Sequence, residues 1–240
     1  FTWKNYTTVL HKDNLITGAY ITVARTLIGT LLSLAANAIL AFIVSRKRFL
    51  FQREVSLFWV ITMYVNGGMI PTFLLYKGLG RTNNFWVYVI PGMVSAFNML
   101  VIRTYMNGIP DSLEESAQLD GANDWTILSR IYLPLSKPIL ATLTLFIGVG
   151  KWNDWFTGAY YQSKAALYPA ATVLQKILSE ATASSQIKAG QETQLGNVTS
   201  FTSQSLQMAF VMILTMPIVV IYPFLQKYFV KGVMLGSLKE

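Results

Sequence analysis

Hydrophobic and polar positions along the chain fall into blocks rather than into short alternation. Five apolar stretches, at about 17–44, 55–76, 85–106, 137–158 and 204–226, each approach the ~20 residues that a helix needs to cross ~30 Å of hydrocarbon. A membrane β-barrel would instead show alternating segments of about ten residues. The pattern therefore predicts an all-α fold, a polytopic transmembrane helix bundle forming a single domain over 1–240. Two interruptions stand out. The first is "PDSLEESAQLDGANDWTILSRIYLP" at about 110–134, and the second is a long non-spanning stretch at about 159–203. Within the second, "YPAATVLQKILSEAT" sets Val173, Leu174, Ile177 and Leu178 at helical spacing, while "ASSQIKAGQETQLGNVTS" reads as a polar, flexible tail.

Composition agrees with the pattern. Only 12% of the 240 residues are charged, against about 25% in a soluble domain. The net charge of +8 does not point to nucleic acid. The basic residues sit at the ends of apolar stretches, where they anchor at lipid headgroups, and little polar surface is left to hold a duplex. With no cysteine and one histidine, His11, the chain offers no disulfide, thiolate or histidine-cluster metal site. Arg46, Lys47, Arg48 and Arg53 crowd the first connection and place it in the cytoplasm. Alternation then puts 107–136 and the C-terminal tail inside, with 159–203 outside. "FTWKNYTTVL" is too polar for a signal-peptide core, so an outside start implies a sixth span upstream.

Residues 110–134 hold five of the eleven acidic residues. Pro110 cannot continue a helix, so the chain turns there. Ser112 with Glu115 makes a capping-box pattern, and Asp111 with Glu114 is an alternative register. A helix over about 112–119 follows. Gly121 suits a positive-φ stop, and Asn123 or Asp124 can cap a second helix that runs to about 132 and stops before Pro134. Capping and solvation alone would account for the carboxylates; contact with a partner is the other reading.

"EESAQLDGANDWTILSRIYLPLSKP" resembles the EAA coupling loop of ABC importer permeases. The match runs through Glu115, Ser116, Ala117, Asp120, Gly121, Ala122, Ile131, Leu133, Pro134 and Pro138, with Ser116 in place of the first alanine of the pattern. "SRKRF", "GKWNDWF" and "YPFLQKYFVKGVMLGSLKE" look like carbohydrate permeases of the maltose-transporter type. The closing phrase is most similar to a subgroup handling complex or acidic oligosaccharides, the smaller permease of the alginate importer among them. The resemblance implies import of oligosaccharides by alternating access in the bacterial cytoplasmic (inner) membrane. It implies a second, related permease chain, two ATPase subunits and a periplasmic or extracellular sugar-binding protein. Glu114, Glu115, Ser116, Ala117, Leu119, Asp120, Gly121 and Ala122 would then engage the ATPase, with Leu113 adding apolar contact. There is no G-x-x-x-x-G-K-[ST] loop, so this chain is expected to bind no cofactor and to catalyse nothing, with ATP and Mg held by the partner ATPases. A permease for a non-sugar solute remains the alternative.

Ionisable groups within spans are costly and usually face protein or water. Arg25, Lys151 and Asp154 fall in the outer halves of their stretches, and Lys151 and Asp154 are spaced to pair on one helix face. They form either a snorkelling interfacial pair or, with Trp152 and Asn153, part of a pathway favouring anionic sugar. Asn37 is expected to join helices. Pro71, Pro91, Pro217 and Pro223 mark kinks, and Gly67 with Gly68 weakens the second stretch.

Overall fold

The computed structural model describes residues 13–189, together with 208, 211–212, 214–220 and 222–223; side chains are described over 15–179 and in the later group. Helix α1 (Asp13–Ser45) is the axis of the fold. Its 33 residues span about 50 Å at 1.5 Å per residue. It packs mainly against α7 (Lys137–Asn153) and α4 (Ala96–Met106). The main core joins Ala38, Ala41 and Phe42 of α1 to Met99, Ile102 and Met106 of α4, with Leu143 of α7. Small residues on α1 let the neighbouring backbones approach closely. Asn37 secures the α1–α4 contact: its Nδ2 donates to the Met93 carbonyl at 3.0 Å, and its Oδ1 accepts from Ser95 N–H at 3.0 Å.

The apolar stretches do not all become straight spans. Among the described residues, Leu15–Ser45 is the one uninterrupted helix long and apolar enough to cross a membrane. The second stretch splits into α2 (Gln52–Tyr64) and α3 (Met69–Gly78), bent by 114°. The break is local chemistry: Gly68 sits at φ 84°, and Asn66 Oδ1 accepts from its N–H at 2.9 Å. The third stretch gives a 3₁₀ turn at Phe85–Tyr88, then Pro91 and Gly92 (φ 70°), and only 11 residues of helix in α4. Eleven residues reach about 16 Å, half of what a crossing needs. The fourth stretch becomes α7, which stands at 78° to the preceding helix α6 (Asp124–Leu135). The fifth stretch is described only in part, and its described residues, 208, 211–212, 214–220 and 222–223, are helical. Among the described residues the second and third stretches are thus broken at Gly68 and at Pro91–Gly92, and each bent helix pair can still count as one span.

The stretch at about 159–203 also differs from a loop. Helix α8 (Phe156–Tyr161) leads through a turn at Ala165–Leu167 into α9 (Ala170–Ala189). Ala170 and Val173 are buried against Leu15 of α1, as the helical spacing predicts. Part of the expected flexible tail, 183–189, continues α9, while 190–203 lies outside the described residues.

Candidate functional site

Helix α5 (Asp111–Leu119) and α6 form the helix–turn–helix expected from 110–134. The turn is a complete Schellman motif. Gly121 N–H bonds the Gln118 carbonyl at 3.0 Å, Ala122 N–H bonds the Ala117 carbonyl at 2.9 Å, and Gly121 has φ 79°. Asn123 caps α6, its Oδ1 accepting from Thr126 N–H and Thr126 Oγ1, both at 2.8 Å. The N-terminus of α5 departs from expectation. Pro110 is the N-cap, the helix starts at Asp111, and neither capping box forms. Asp111 instead accepts from Lys47 Nζ at 2.5 Å, and Glu114 pairs with Arg46. Helix α6 also passes through Pro134 to Leu135, instead of stopping near 132, because Leu128–Tyr132 widens into a π-turn. There Leu133 N–H reaches back to the Leu128 carbonyl.

The ion pairs make the module an extension of α1. Arg46 follows the last turn of α1, with its guanidinium 4.1 Å from the Phe42 ring centroid and 4.4 Å from that of Tyr132. Its Nη1 pairs with Glu114, which also takes hydrogen bonds from Gln118 Nε2 (2.8 Å) and Tyr132 Oη (3.4 Å) and faces Arg48 at 3.4 Å. Burial lowers the Arg46 pKa, which Tyr132 and Asp124 partly offset. The exposed Lys47 is shifted upward by its hydrogen bond to Asp111.

These contacts sort the expected coupling residues into two faces. Glu114, Ala117 and Ala122 turn inward, so Glu114 serves an in-chain ion pair rather than a free surface. Glu115, Ser116, Leu119, Asp120 and Gly121 are exposed. Leu119 is 89% exposed, with Leu113 at 44% and Trp125 at 66% beside it in sequence. The sequence reading missed Trp125 and the clamp made by Arg46 and Tyr132. Charge complementarity between "SRKR" and the acidic segment was the available signal for the clamp.

A second cluster lies in the N-terminal half of α1. Arg25 is 1% exposed, and its Nη2 donates to the Asp154 carbonyl (2.6 Å) and the Trp152 carbonyl (3.2 Å). Its Nη1 lies 3.7 Å from Asp154 Oδ2. The expected Lys151–Asp154 pair on one helix face does not form, because α7 ends at Asn153 and Asp154 is extended. Lys151 donates instead to the Tyr88 carbonyl at 3.2 Å, and Asp154 Oδ1 accepts from Thr157 N–H at 3.1 Å. Arg25, Lys151 and Asp154 line a cavity of about 310 Å³ with Tyr76, Tyr88, Phe156 and Tyr161. Trp152 lies apart, on an apolar cavity of about 430 Å³, with its Nε1 donating to the Leu214 carbonyl at 3.0 Å. Asn153 is exposed. No group of three or more metal-ligating side chains occurs among the described residues.

Residues 29–235 match the family described as the binding-protein-dependent transport system inner membrane component. A polygalacturonan/rhamnogalacturonan transport system permease protein of Bacillus subtilis is 35% identical over 239 residues, covering 100% of this chain and 82% of the relative. Protein LplC of the same organism is 35% identical over 240 residues, covering 100% and 79%. A crystal structure of a bacterial ABC transporter involved in the import of the acidic polysaccharide alginate superposes with TM-score 0.82 at 30% identity, covering 94% of this chain and 79% of that one. The helix bundle, its capped and clamped helix–turn–helix and these likenesses converge: the chain belongs to the family of inner-membrane components of binding-protein-dependent transport systems.

Proposed function

We propose that this chain is one permease subunit of an ATP-driven oligosaccharide importer of the bacterial cytoplasmic membrane, and that α5 and α6 are its coupling lever. The observation that carries this is the two-faced module: its base is fixed to α1 through Arg46–Glu114 and Lys47–Asp111, while Leu119 and Trp125 stand exposed, with Leu113 half-exposed. Exposed apolar side chains on the same short module as exposed Glu115 and Asp120 suit a protein partner bearing a groove with basic rims. That partner is one of two ATPase subunits, which hold ATP and Mg. Closure of the ATPase pair pushes the lever, and the fixed base passes the displacement to α1 and α7 as alternating access. A related second permease chain completes the pathway, and an external binding protein delivers substrate to the end that carries α8 and α9. The oligosaccharide class rests on the relatives, two of which are described as handling polygalacturonan or alginate.

The test is uptake of labelled oligosaccharides by cells carrying Gly121→Asp or Glu115→Lys. Both variants are expected to reach the membrane in normal amount and to lose transport. Normal uptake by both would remove the coupling role, and uptake of amino acids in place of sugars by the unaltered importer would remove the substrate class.

A further inference from the structure

The cavity at the α8 end of the bundle carries more positive charge than it balances. Arg25 and Lys151 line it with a single carboxylate, Asp154. Asp154 already serves Thr157 N–H through Oδ1, and Oδ2 stands 3.7 Å from Arg25. The guanidinium has five N–H donors, and its two hydrogen bonds both leave Nη2. Nε and Nη1 are buried with no hydrogen-bond partner. The Lys151 ammonium has three donors and uses one, to the Tyr88 carbonyl. Buried donors left open are costly, and surplus charge within a membrane protein marks a ligand or ion pathway. Rings make up part of the remaining wall: Tyr76 and Tyr161 meet edge-on at 5.2 Å, with Tyr88 and Phe156 beside Val87, Pro91, Gly150 and Thr157. A volume of about 310 Å³ stands at the lower bound of small-molecule sites, ~300 to 1,000 Å³. It suits one sugar unit rather than a whole chain.

We propose that this cavity is a subsite for the carboxylate of a uronic acid unit, held by the open N–H groups of Arg25 and Lys151 with the aromatic rings against the sugar ring. The inference rests on the reading of the chain as an oligosaccharide permease and names the chemistry that such a pathway selects. Arg25 is fully buried, so replacing it would disturb the helix end. Lys151 is half-buried and can be changed more safely. Gly29 supplies a second handle: a Cβ there would lie 2.7 Å from Lys151 Cδ and 2.8 Å from Cε. Gly29→Ala thus moves the flexible ammonium arm while keeping its charge.

The experiment uses the complete importer in proteoliposomes. Labelled oligogalacturonides are compared with the same oligomers after reduction of their carboxyls to neutral hydroxymethyl groups. The readout is the ratio of acidic to neutral uptake. Lys151→Gln is expected to lower that ratio about tenfold, the worth of one charge-assisted hydrogen bond, and Gly29→Ala is expected to lower it in the same direction. A ratio unchanged by both variants would overturn the subsite while leaving the transport reading in place, as would an unaltered importer that takes up only the neutral oligomers. An unaltered importer that takes up neither set would overturn both.

Discussion

Glu114 shows how one side chain ties the helix–turn–helix to the end of α1. It is 13% exposed and faces Arg46, whose own side chain is 12% exposed. Arg46 Nε and Nη2 are already without hydrogen bonds, so apart from Glu114 the guanidinium is held by the Tyr132 hydroxyl, 3.2 Å from Nη1, and by the Phe42 and Tyr132 rings. Glu114→Ala is expected to destabilise the module by about 1.5–3 kcal/mol, the value of hydrogen bonds to charged groups. Hydrogen exchange of the α5 and α6 amides would read it as faster opening there, with α1 amides around Asn37 unchanged. An unchanged pattern in α5 would show that the clamp is not what holds it. Gly121 works differently. Nothing lies within 4 Å of the position where its Cβ would be, so the requirement for glycine comes from φ 79° and not from crowding.

At the scale of elements, the breaks matter as much as the helices. The bend at Gly68 and the loop through Pro91 and Gly92 shorten two apolar stretches, and residues 83–89 pack on α8 and the turn that follows it. The join is specific: Tyr88 Oη donates to the Leu167 carbonyl at 2.7 Å, and Gln162 Nε2 donates to the Asn84 carbonyl at 2.8 Å. Gly158 is its tightest point, since a Cβ there would lie 2.8 Å from Pro169 Cδ and collide with Thr172 Oγ1. Thr172 is itself fixed, donating to the Trp155 carbonyl at 2.9 Å. Gly158→Ala is therefore expected to cost about 1–3 kcal/mol by overpacking. Chemical denaturation of the purified chain would measure it, and a loss below the experimental error would mean that α8 and α9 slide apart freely. Periodicity placed α9 correctly, because its apolar residues recur at helical spacing. The breaks in the second and third stretches fall at Gly68 and at Pro91–Gly92, where the sequence already sets Gly67, Gly68 and Pro91 as weak or kinked points.

On the scale of the whole molecule, α1 runs between the helix–turn–helix and the cation-lined cavity. Arg25 and Arg46 stand 21 positions apart on or just beyond one helix (46 − 25 = 21), a distance of about 30 Å. Such a rod can carry displacement from one end to the other without bending. The α8–α9 end is where the binding protein is proposed to dock, and deleting that region would remove the buried contacts of Ala170 and Val173 with α1. A milder test places a photo-cross-linker at exposed Lys164 in the complete importer. Capture of the binding protein is expected, and capture only of lipid or of the ATPase would reverse the assigned orientation. By itself the sequence determined the all-helical membrane class, the helix–turn–helix with its glycine stop and asparagine cap, and the family, because these rest on local preferences and on short motifs. Tertiary structure decided which carboxylate is clamped and which is free, and that Arg25 meets Asp154 while Lys151 turns to Tyr88. Those choices depend on backbone breaks and on contacts between residues 63 to 129 positions apart, where no local pattern in the chain could specify the partner.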